Sequence, residues 1–316
     1  MKKVFLTFPF PEDWIDELRE NVQVYMNPDK RMLSEEELME NFKEKDGVIT
    51  LLSDKITKKV IGSANRLKVI SNYAVGYDNI DIGFAKERGI AVTNTPDVLT
   101  NATAELTISL IFAVARRIVE ADRFTREGRF EGWQPTLLLG KEIKDSILGI
   151  LGAGRIGIAV AKKAYSLGMN VIYYSRKEKD EMKALNAKFV SLDYLLKTAD
   201  FISLHLPLTE ETYHVIGEKE FKIMKQDSII VNTGRGALID EASLAEALLN
   251  NKIGGAGIDV YEFEPGVTTT LLKLQNVILT PHIGSATYRA RRMMAKIAVK
   301  NVLLVLNGQE PLYRVV

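Results

Sequence analysis

The segment that most restricts the fold is Ile147-Leu148-Gly149-Ile150-Leu151, followed at once by Gly152-Ala153-Gly154-Arg155-Ile156-Gly157. A short apolar run bounded by a glycine turn reads as a buried strand. After the turn, Ile156, Ala159, Val160, Lys163, Ala164 and Leu167 recur at helical spacing, and Gly168 supplies a stop. A further apolar run, Val171–Ser175, comes next. Strand, glycine turn, helix and strand together make one βαβ unit, and that context gives each glycine a task. The first makes the tight turn, the second lets backbone approach a pyrophosphate, and the third lets helix and strand pack closely. The helix N-terminus then presents free N–H groups to the anion. The expected ligand of Gly152, Gly154, Arg155, Ile156 and Gly157 is therefore a dinucleotide.

The rest of the chain repeats this alternation. In the first hundred residues, Val4–Thr7, Val22–Tyr25, Gly47–Leu51, Leu67–Ser71 and Ile90–Thr93 read as strands. Amphipathic stretches such as Glu35–Glu44 and Asp81–Arg88 lie between them, the latter ending at Gly89. A second series runs through Ile147–Leu151, Val171–Ser175, Phe201–Leu204, Ser228–Asn232, Gly257–Val260 and Val277–Leu279. Alternating strands and helices imply parallel sheets, and two series imply two α/β domains. Thr100–Arg117 is apolar on nearly every face, which predicts a helix buried on all sides, placed between the domains. Ala290–Leu306 is a second long helical pattern, where the chain can cross back to the first domain.

Composition narrows the function. A chain of 316 residues suits two cores better than one. A formal net charge of +1 provides no field for nucleic acid or an anionic membrane. The chain has 0 cysteines, which excludes disulfides, thiolate metal sites and cysteine nucleophiles, and no metal site is expected. The apolar start Val4-Phe5-Leu6 stops at Pro9 and meets Glu12-Asp13 without a cleavage site, so it reads as a first strand in a cytoplasmic protein.

Ser175 closes the second strand of the βαβ unit, where a carboxylate would receive a ribose 2′-hydroxyl. The residues here are Ser175-Arg176-Lys177, a hydroxyl followed by two cations, which suit a 2′-phosphate. NADP(H) is the expected cofactor, with NAD(H) as the alternative.

Three segments near strand ends carry ionisable residues: Val231-Asn232-Thr233-Gly234-Arg235-Gly236, Gly257-Ile258-Asp259-Val260-Tyr261-Glu262-Phe263-Glu264-Pro265 and Leu279-Thr280-Pro281-His282-Ile283-Gly284-Ser285. Ligands of open α/β sheets bind beyond the carboxyl ends of the strands. There, an arginine can grip a 2-oxo acid at its carboxylate and carbonyl. A histidine can give the carbonyl oxygen a proton while hydride reaches the carbon. A carboxylate on the other ring nitrogen orients that histidine and favours its charged form.

These segments, in this order, resemble the D-isomer-specific 2-hydroxyacid dehydrogenases, and within them the glyoxylate/hydroxypyruvate reductase branch. The resemblance extends over essentially the whole chain. Asn72-Tyr73-Ala74-Val75-Gly76-Tyr77-Asp78-Asn79-Ile80-Asp81 looks like the family's substrate-carboxylate loop. Thr93-Asn94-Thr95-Pro96 with Ala102-Thr103-Ala104-Glu105 resembles the start of its first interdomain helix, and His205-Leu206-Pro207-Leu208-Thr209 its cofactor-side loop. The resemblance implies that Arg235 binds substrate, Glu264 partners the histidine and His282 is the acid/base. It implies that Val75 and Gly76 offer N–H groups to the substrate carboxylate, with Leu52 beside them. On the cofactor side it implies Thr103, His205, Pro207, Thr212, Thr233, Asp259 and His282, with Asp259 holding the nicotinamide carboxamide. It further implies two Rossmann-like or flavodoxin-like domains with an interdomain cleft. The substrate domain would be residues 1–98 plus 285–316, and the dinucleotide domain 99–284.

The resemblance points to Glu264 over Glu262 because the family's acid directly precedes this proline, Pro265; Glu262 is expected to be a surface carboxylate. His214 is expected to be structural or exposed, and His205 to shape its loop. Gly234 stands where many members have Ala or Ser, a change too small to displace Arg235. No additional cation stands near Leu52 or Val75 to receive a second carboxylate, so a small 2-oxo acid is expected, glyoxylate first and hydroxypyruvate next. The alternatives are a D-lactate or broad 2-ketoacid dehydrogenase and a dinucleotide-binding, corepressor-like protein. A homodimer is implied by the resemblance, with Trp133 either walling the partner's site or forming a dimer contact.

Overall fold

Val, Ile, Leu and Phe dominate the strand interiors, and every strand pair in the molecule is parallel. The computed structural model describes residues 1–316. They form two compact units, Met1–Leu99 with Ala286–Val316, and Thr100–Ser285. No helix is long and apolar enough to cross a membrane.

In the first unit the chain runs β1 (Lys3–Leu6), α1 (Glu12–Asn21), β2 (Gln23–Met26), α2 (Glu35–Phe42), β3 (Gly47–Thr50), α3 (Lys58–Ser63), β4 (Val69–Asn72), α4 (Ile82–Glu87) and β5 (Ala91–Thr93). The sheet order is β2-β1-β3-β4-β5, the flavodoxin-like arrangement. β3 and β4 are buried at every position, as strands covered on both faces must be. Leu38, Phe42, Val60, Ile61 and Ala85, from α2, α3 and α4, form one core layer. The opposite layer joins Ile15 and Leu18 of α1 to Ala298, Val299 and Val302 of the last helix.

The second unit continues with α5 (Thr100–Ala115), α6 (Ile118–Arg126), β6 (Ile147–Leu151), α7 (Arg155–Ser166), β7 (Asn170–Tyr174), α8 (Asp180–Lys183), β8 (Lys188–Phe189) and α9 (Leu192–Thr198). It goes on through β9 (Phe201–Leu204), α10 (Glu218–Ile223), β10 (Ile229–Asn232), α11 (Glu241–Leu249), β11 (Gly255–Ile258) and β12 (Val277–Leu279). The last helix, α12 (Tyr288–Leu306), returns the chain to the first unit. Strand order in the second sheet is β12-β11-β10-β9-β6-β7-β8, the Rossmann order extended by one strand. α5 and α7 cover one face, while α9, α10 and α11 cover the other.

Three sequence expectations change. Strand ends shift by one or two residues, and the exposed two-residue edge strand Lys188–Phe189 lacks an apolar run to announce it. Thr100–Arg117 ends as a helix at Ala115, and Arg117 turns left-handed (φ 52°) before α6 begins. The helix is also not buried on all sides, because Asn101, Glu105 and Ser109 form an exposed stripe at i, i+4 spacing.

Two packing features yield measurable consequences. A Cβ on Gly149 would lie 2.5 Å from Leu195 Cδ2 and 3.0 Å from Ala199 Cβ, so β6 and α9 touch only because residue 149 has no side chain. Leu195→Ala should cost about 2–5 kcal/mol through the cavity it opens. Gly149→Ala should cost about 1–3 kcal/mol through overpacking. In the double variant the new methyl enters the vacated space, so the combined loss should fall short of the sum by about 1 kcal/mol or more. Urea unfolding of the four proteins measures this, and strict additivity would refute the contact.

His205 follows β9 where the strand order reverses; its N–H donates to Leu151 O at 2.7 Å. Its Nε2 lies 3.0 Å from Ser203 Oγ, while Nδ1 is sealed from solvent without a partner. Burial lowers the imidazole from 6.5 to about 3. The unfolded chain accepts a proton that the folded one refuses, so stability is complete above 6.5 and declines as pH falls toward 3. At about 1.4 kcal/mol per pH unit, wild type should lose about 2–3 kcal/mol more than His205→Gln between roughly pH 7 and 4.5. Equal losses in chemical unfolding at the two pH values would refute this.

Candidate active site

The glycine turn stands at the point of strand reversal, between the ends of β6 and β9. Gly152 is left-handed at φ 100°, and a Cβ there would lie 2.7 Å from the backbone of His205. A Cβ on Gly157 would meet Gly152 O at 2.1 Å, so the third glycine allows α7 to sit on the turn. By contrast, nothing lies within 4 Å of the corresponding point on Gly154. α7 also starts at Gly154 with no side-chain cap. Open space before an uncapped helix N-terminus is what a pyrophosphate requires, so the residues present fit a dinucleotide.

Downstream, Ser175 Oγ donates to Lys177 O at 2.5 Å, forming a turn whose Arg176 and Lys177 side chains are exposed. Thr212 folds the loop after β9, donating to Pro207 O (2.7 Å) and accepting from Thr209 N–H (2.8 Å). Thr107 links Thr103 O (2.9 Å) to Thr233 Oγ1 (2.9 Å), and all three residues are buried.

Arg235 is placed by the turn that leaves β10. Asn232 Oδ1 accepts from Gly234 N–H (3.0 Å), its Nδ2 donates to Arg235 O (2.8 Å), and Arg235 Nη1 donates to Gly234 O (2.8 Å). Gly236 must be glycine, since its Cβ would fall 1.8 Å from Tyr261 C. That close approach brings the Arg235 turn against the Tyr261–Glu264 loop. A Cβ on Gly234 would lie 3.2 Å from both Leu204 O and Leu238 Cδ1, a tight fit that requires its neighbours to shift by a few tenths of an ångström.

His282 Nδ1 lies 3.0 Å from Glu264 Oε2 and 3.2 Å from Oε1. Tyr261 N–H donates to Glu264 Oε1 at 3.0 Å. Burial pushes the Glu264 carboxyl up, but hydrogen bonding and the charge of His282, with smaller help from Tyr261 N–H and Arg235, bring it below its usual range. With Nδ1 anchored to a carboxylate, Nε2 is the nitrogen left to exchange a proton.

His282 is itself left-handed (φ 52°), an uncommon state for a residue with a side chain. Asp259 holds it there. The carboxylate accepts from Thr280 Oγ1 (2.6 Å), Ile283 N–H (2.7 Å) and Gly284 N–H (2.8 Å), while Asp259 O accepts from His282 N–H (3.0 Å). Burial raises the Asp259 carboxyl despite these donors, and the residue is 0% exposed. The resemblance gives Asp259 to the nicotinamide; in the structure its carboxylate accepts from the histidine loop.

Glu262 also corrects an expectation. Its side chain is 8% exposed, not a surface group. Its Oε1 lies 2.8 Å from His214 Nε2 and accepts from Tyr213 OH at 3.3 Å, and Tyr213 stacks on the His214 ring. Glu262 N–H donates to Glu241 Oε1 at 2.6 Å. The two glutamates before Pro265 thus serve two histidines, Glu264 facing His282 and Glu262 facing His214. Residues two apart would share a side in an extended strand; here the chain turns between them, so the two carboxylates diverge.

In the first unit, Leu52 follows β3, and Val75 and Gly76 follow β4; all three are partly exposed. Asn79 ties the two loops together, its Nδ2 donating to Leu51 O (3.1 Å) and Asp54 O (2.9 Å). Beneath them Asp54 is buried, accepting from Thr7 Oγ1 (2.5 Å) and Leu51 N–H (2.7 Å). Asn79 and Asp54 were missed from sequence because polar residues in loops carry no periodic signal, and Asn72 because a buried polar residue at a strand end does not stand out from its apolar neighbours.

Known proteins resemble this chain in sequence and fold. Residues 108–284 match the family model for the NAD binding domain of D-isomer specific 2-hydroxyacid dehydrogenases. A glyoxylate reductase from Thermococcus litoralis is 49% identical over 314 residues, 98% of this chain and 95% of the relative. The solved glyoxylate reductase of Paecilomyes thermophila is similar at a TM-score of 0.88 and 34% identity, covering 99% of this chain and 98% of that one. The NADPH-dependent glyoxylate/hydroxypyruvate reductase of Sinorhizobium meliloti, solved with NADP and malonate, gives 0.89 at 29% identity, covering 99% and 96%. With nearly half its residues shared along almost its whole length, the chain belongs to the D-isomer-specific 2-hydroxyacid dehydrogenase family.

Proposed function

We propose that this NAD(P)-dependent dehydrogenase reduces a small 2-oxo acid, glyoxylate first and hydroxypyruvate next, with NADPH as the preferred reductant. The observation that carries the reading is the His282–Glu264 pair at 3.0 Å with Arg235 close enough to favour the glutamate's charged form. Arg235 grips the substrate through its carboxylate and carbonyl oxygens. The N–H groups of Val75 and Gly76 receive the carboxylate, and Leu52 lies against the carbon chain. The dinucleotide, when bound, supplies the hydride. His282 Nε2 gives its proton to the carbonyl oxygen as that oxygen gains charge, and Glu264 stabilises the ring before the transfer. The balance is 2-oxo acid, reduced cofactor and one proton to 2-hydroxy acid and oxidised cofactor.

Gly152, Gly154, Arg155, Ile156 and Gly157 would hold the pyrophosphate, with Thr103, His205, Pro207, Thr212 and Thr233 along the rest of the cofactor. Asp259 would hold the nicotinamide carboxamide, from a position fixed by its bonds to the His282 loop. Glyoxylate is favoured by the relatives of that name and by the absence of a further cation beside Leu52 and Val75. We further infer a homodimer through the segment around Trp133, where Phe130 (57%), Trp133 (84%) and Leu139 (64%) are exposed and α6 has no buried residue.

Steady-state assays test the reaction. Wild type should turn over glyoxylate and hydroxypyruvate in preference to pyruvate and bulky 2-oxo acids. His282→Asn should lose at least about a thousandfold in kcat while dinucleotide binding, followed by fluorescence, is retained. Failure of wild type to reduce any of these acids would favour a dinucleotide-binding protein without this chemistry.

The cofactor choice is tested separately. Arg176 and Lys177 offer two cations where a carboxylate would repel a 2′-phosphate, and the Ser175 hydroxyl can join them by turning from Lys177 O. NADPH should exceed NADH in kcat/KM by about tenfold or more. Arg176→Ala should remove about tenfold from the NADPH value and leave NADH within about twofold, as loss of one charge-assisted contact requires. A clear NADH preference in wild type would rule this out.

A further inference from the structure

The loop after β4 holds its own carbonyl groups in an unusual way. Three in succession are engaged from within the first unit. Thr95 N–H donates to Ala74 O at 2.8 Å, Asn94 Nδ2 to Val75 O at 2.7 Å, and Asn72 Nδ2 to Gly76 O at 2.8 Å. The N–H groups of Val75, Gly76 and Tyr77 donate to nothing in the protein. These facts are linked by covalent geometry. In a trans peptide the carbonyl of one residue and the N–H of the next point in opposite directions. The chain's cis peptide is Glu264–Pro265, so all three bonds in this loop are trans. Fixing Ala74 O therefore aims the N–H of Val75, fixing Val75 O aims that of Gly76, and fixing Gly76 O aims that of Tyr77.

The asparagines are themselves held. Asn72 Oδ1 accepts from Thr50 Oγ1 at 3.0 Å, and Asn72 Nδ2 also donates to Asn79 Oδ1 at 3.0 Å. Asn94 O accepts from Asn301 Nδ2 at 3.3 Å, and Asn94 N–H donates to Tyr313 O at 3.3 Å. An anion gains from a row of aimed N–H donors only if the intervening carbonyl oxygens, which would repel it, are turned away. Both conditions are met here by the Thr95 backbone N–H and the side chains of Asn94 and Asn72.

We propose that Asn94 is a positioning residue for the substrate carboxylate, aiming the Gly76 N–H by holding Val75 O, and that Tyr77 N–H is a third donor aimed in the same way by Asn72. This rests on the reading of Val75 and Gly76 as the carboxylate loop. Asn94 does not touch substrate; its effect is confined to how well the loop recognises a negative charge.

That confinement supplies the test, made on the full-length enzyme with its preferred nicotinamide. Asn94→Leu keeps the side-chain volume and cannot donate. With glyoxylate its KM should rise about tenfold while kcat falls by less than about threefold. With methyl glyoxylate, which carries no charge, KM should stay within about twofold. The ratio of kcat/KM for acid over ester should therefore fall about tenfold, whereas loss of a merely structural residue would lower both alike. Inhibition by oxalate should weaken in parallel. If Asn94→Leu does not unfold cooperatively, Asn94→Ala at this half-buried position is measured in the same way. An unchanged acid-to-ester ratio in the folded variant would overturn the role of Asn94. A wild type that does not itself prefer glyoxylate to its ester would instead overturn the reading of the loop, and the proposal with it.

Discussion

Parallel strands impose one constraint from which most of this molecule follows. Each strand must be left by a crossover and re-entered from the same end, so all C-terminal ends emerge along one edge of their sheet. In the second unit that edge collects Gly152 after β6, Ser175 after β7, His205 after β9, Thr233 after β10, Asp259 after β11 and Thr280 after β12. These residues are far apart in sequence, and sheet order alone makes them neighbours. In the first unit the same edge receives Leu52 after β3 and Val75 after β4. Chemistry is thereby concentrated on loops, while β3, β4, β9, β10 and β11 stay wholly buried and carry the stability.

Within that edge, the His282 loop is where the fold spends free energy on placement. A left-handed residue bearing a side chain costs about 1–3 kcal/mol and persists only where its surroundings over-determine it. Asp259 and Thr280 supply that excess, with two donors on Asp259 Oδ1, one on Oδ2, and His282 N–H shared between the carbonyls of Asp259 and Thr280. Burying a carboxylate to hold a loop is costly unless it is well hydrogen-bonded, which it is. The gain is a histidine whose backbone cannot drift while its ring pairs with Glu264.

Much of this was legible in the residues, for reasons that separate what was read from what was not. The glycine turn was readable because each glycine answers a local steric demand, and the distances at Gly152, Gly154 and Gly157 are those three demands. Glu264 could be told from Glu262 by its place beside Pro265, but the burial of Glu262 could not, since its partner His214 is distant in sequence and approaches through tertiary folding. The exposed stripe Asn101, Glu105 and Ser109 was hidden by the strongly apolar average of α5. β8 was missed because an edge strand of two exposed residues is made by its neighbour's backbone, not by its own side chains.

The two units also present backbone donors by different means. In the second, α7 begins at a glycine with no side-chain cap, so its first-turn N–H groups remain open for a diphosphate. In the first, the helices after β3 and β4 close their own N-termini, Thr57 accepting from Val60 N–H and Asp81 from Phe84 N–H. Neither of these two helix ends is left uncapped to meet an anion. Donors must instead come from single peptides, and a peptide can be aimed only by holding its carbonyl from the other side. Thr95, Asn94 and Asn72 do this in succession along Ala74–Gly76. A helix end meets an anion with a cluster of converging donors and a dipole; a short row of peptides offers a few donors in fixed directions. The first suits a bulky diphosphate, and the second suits a carboxylate on a small substrate.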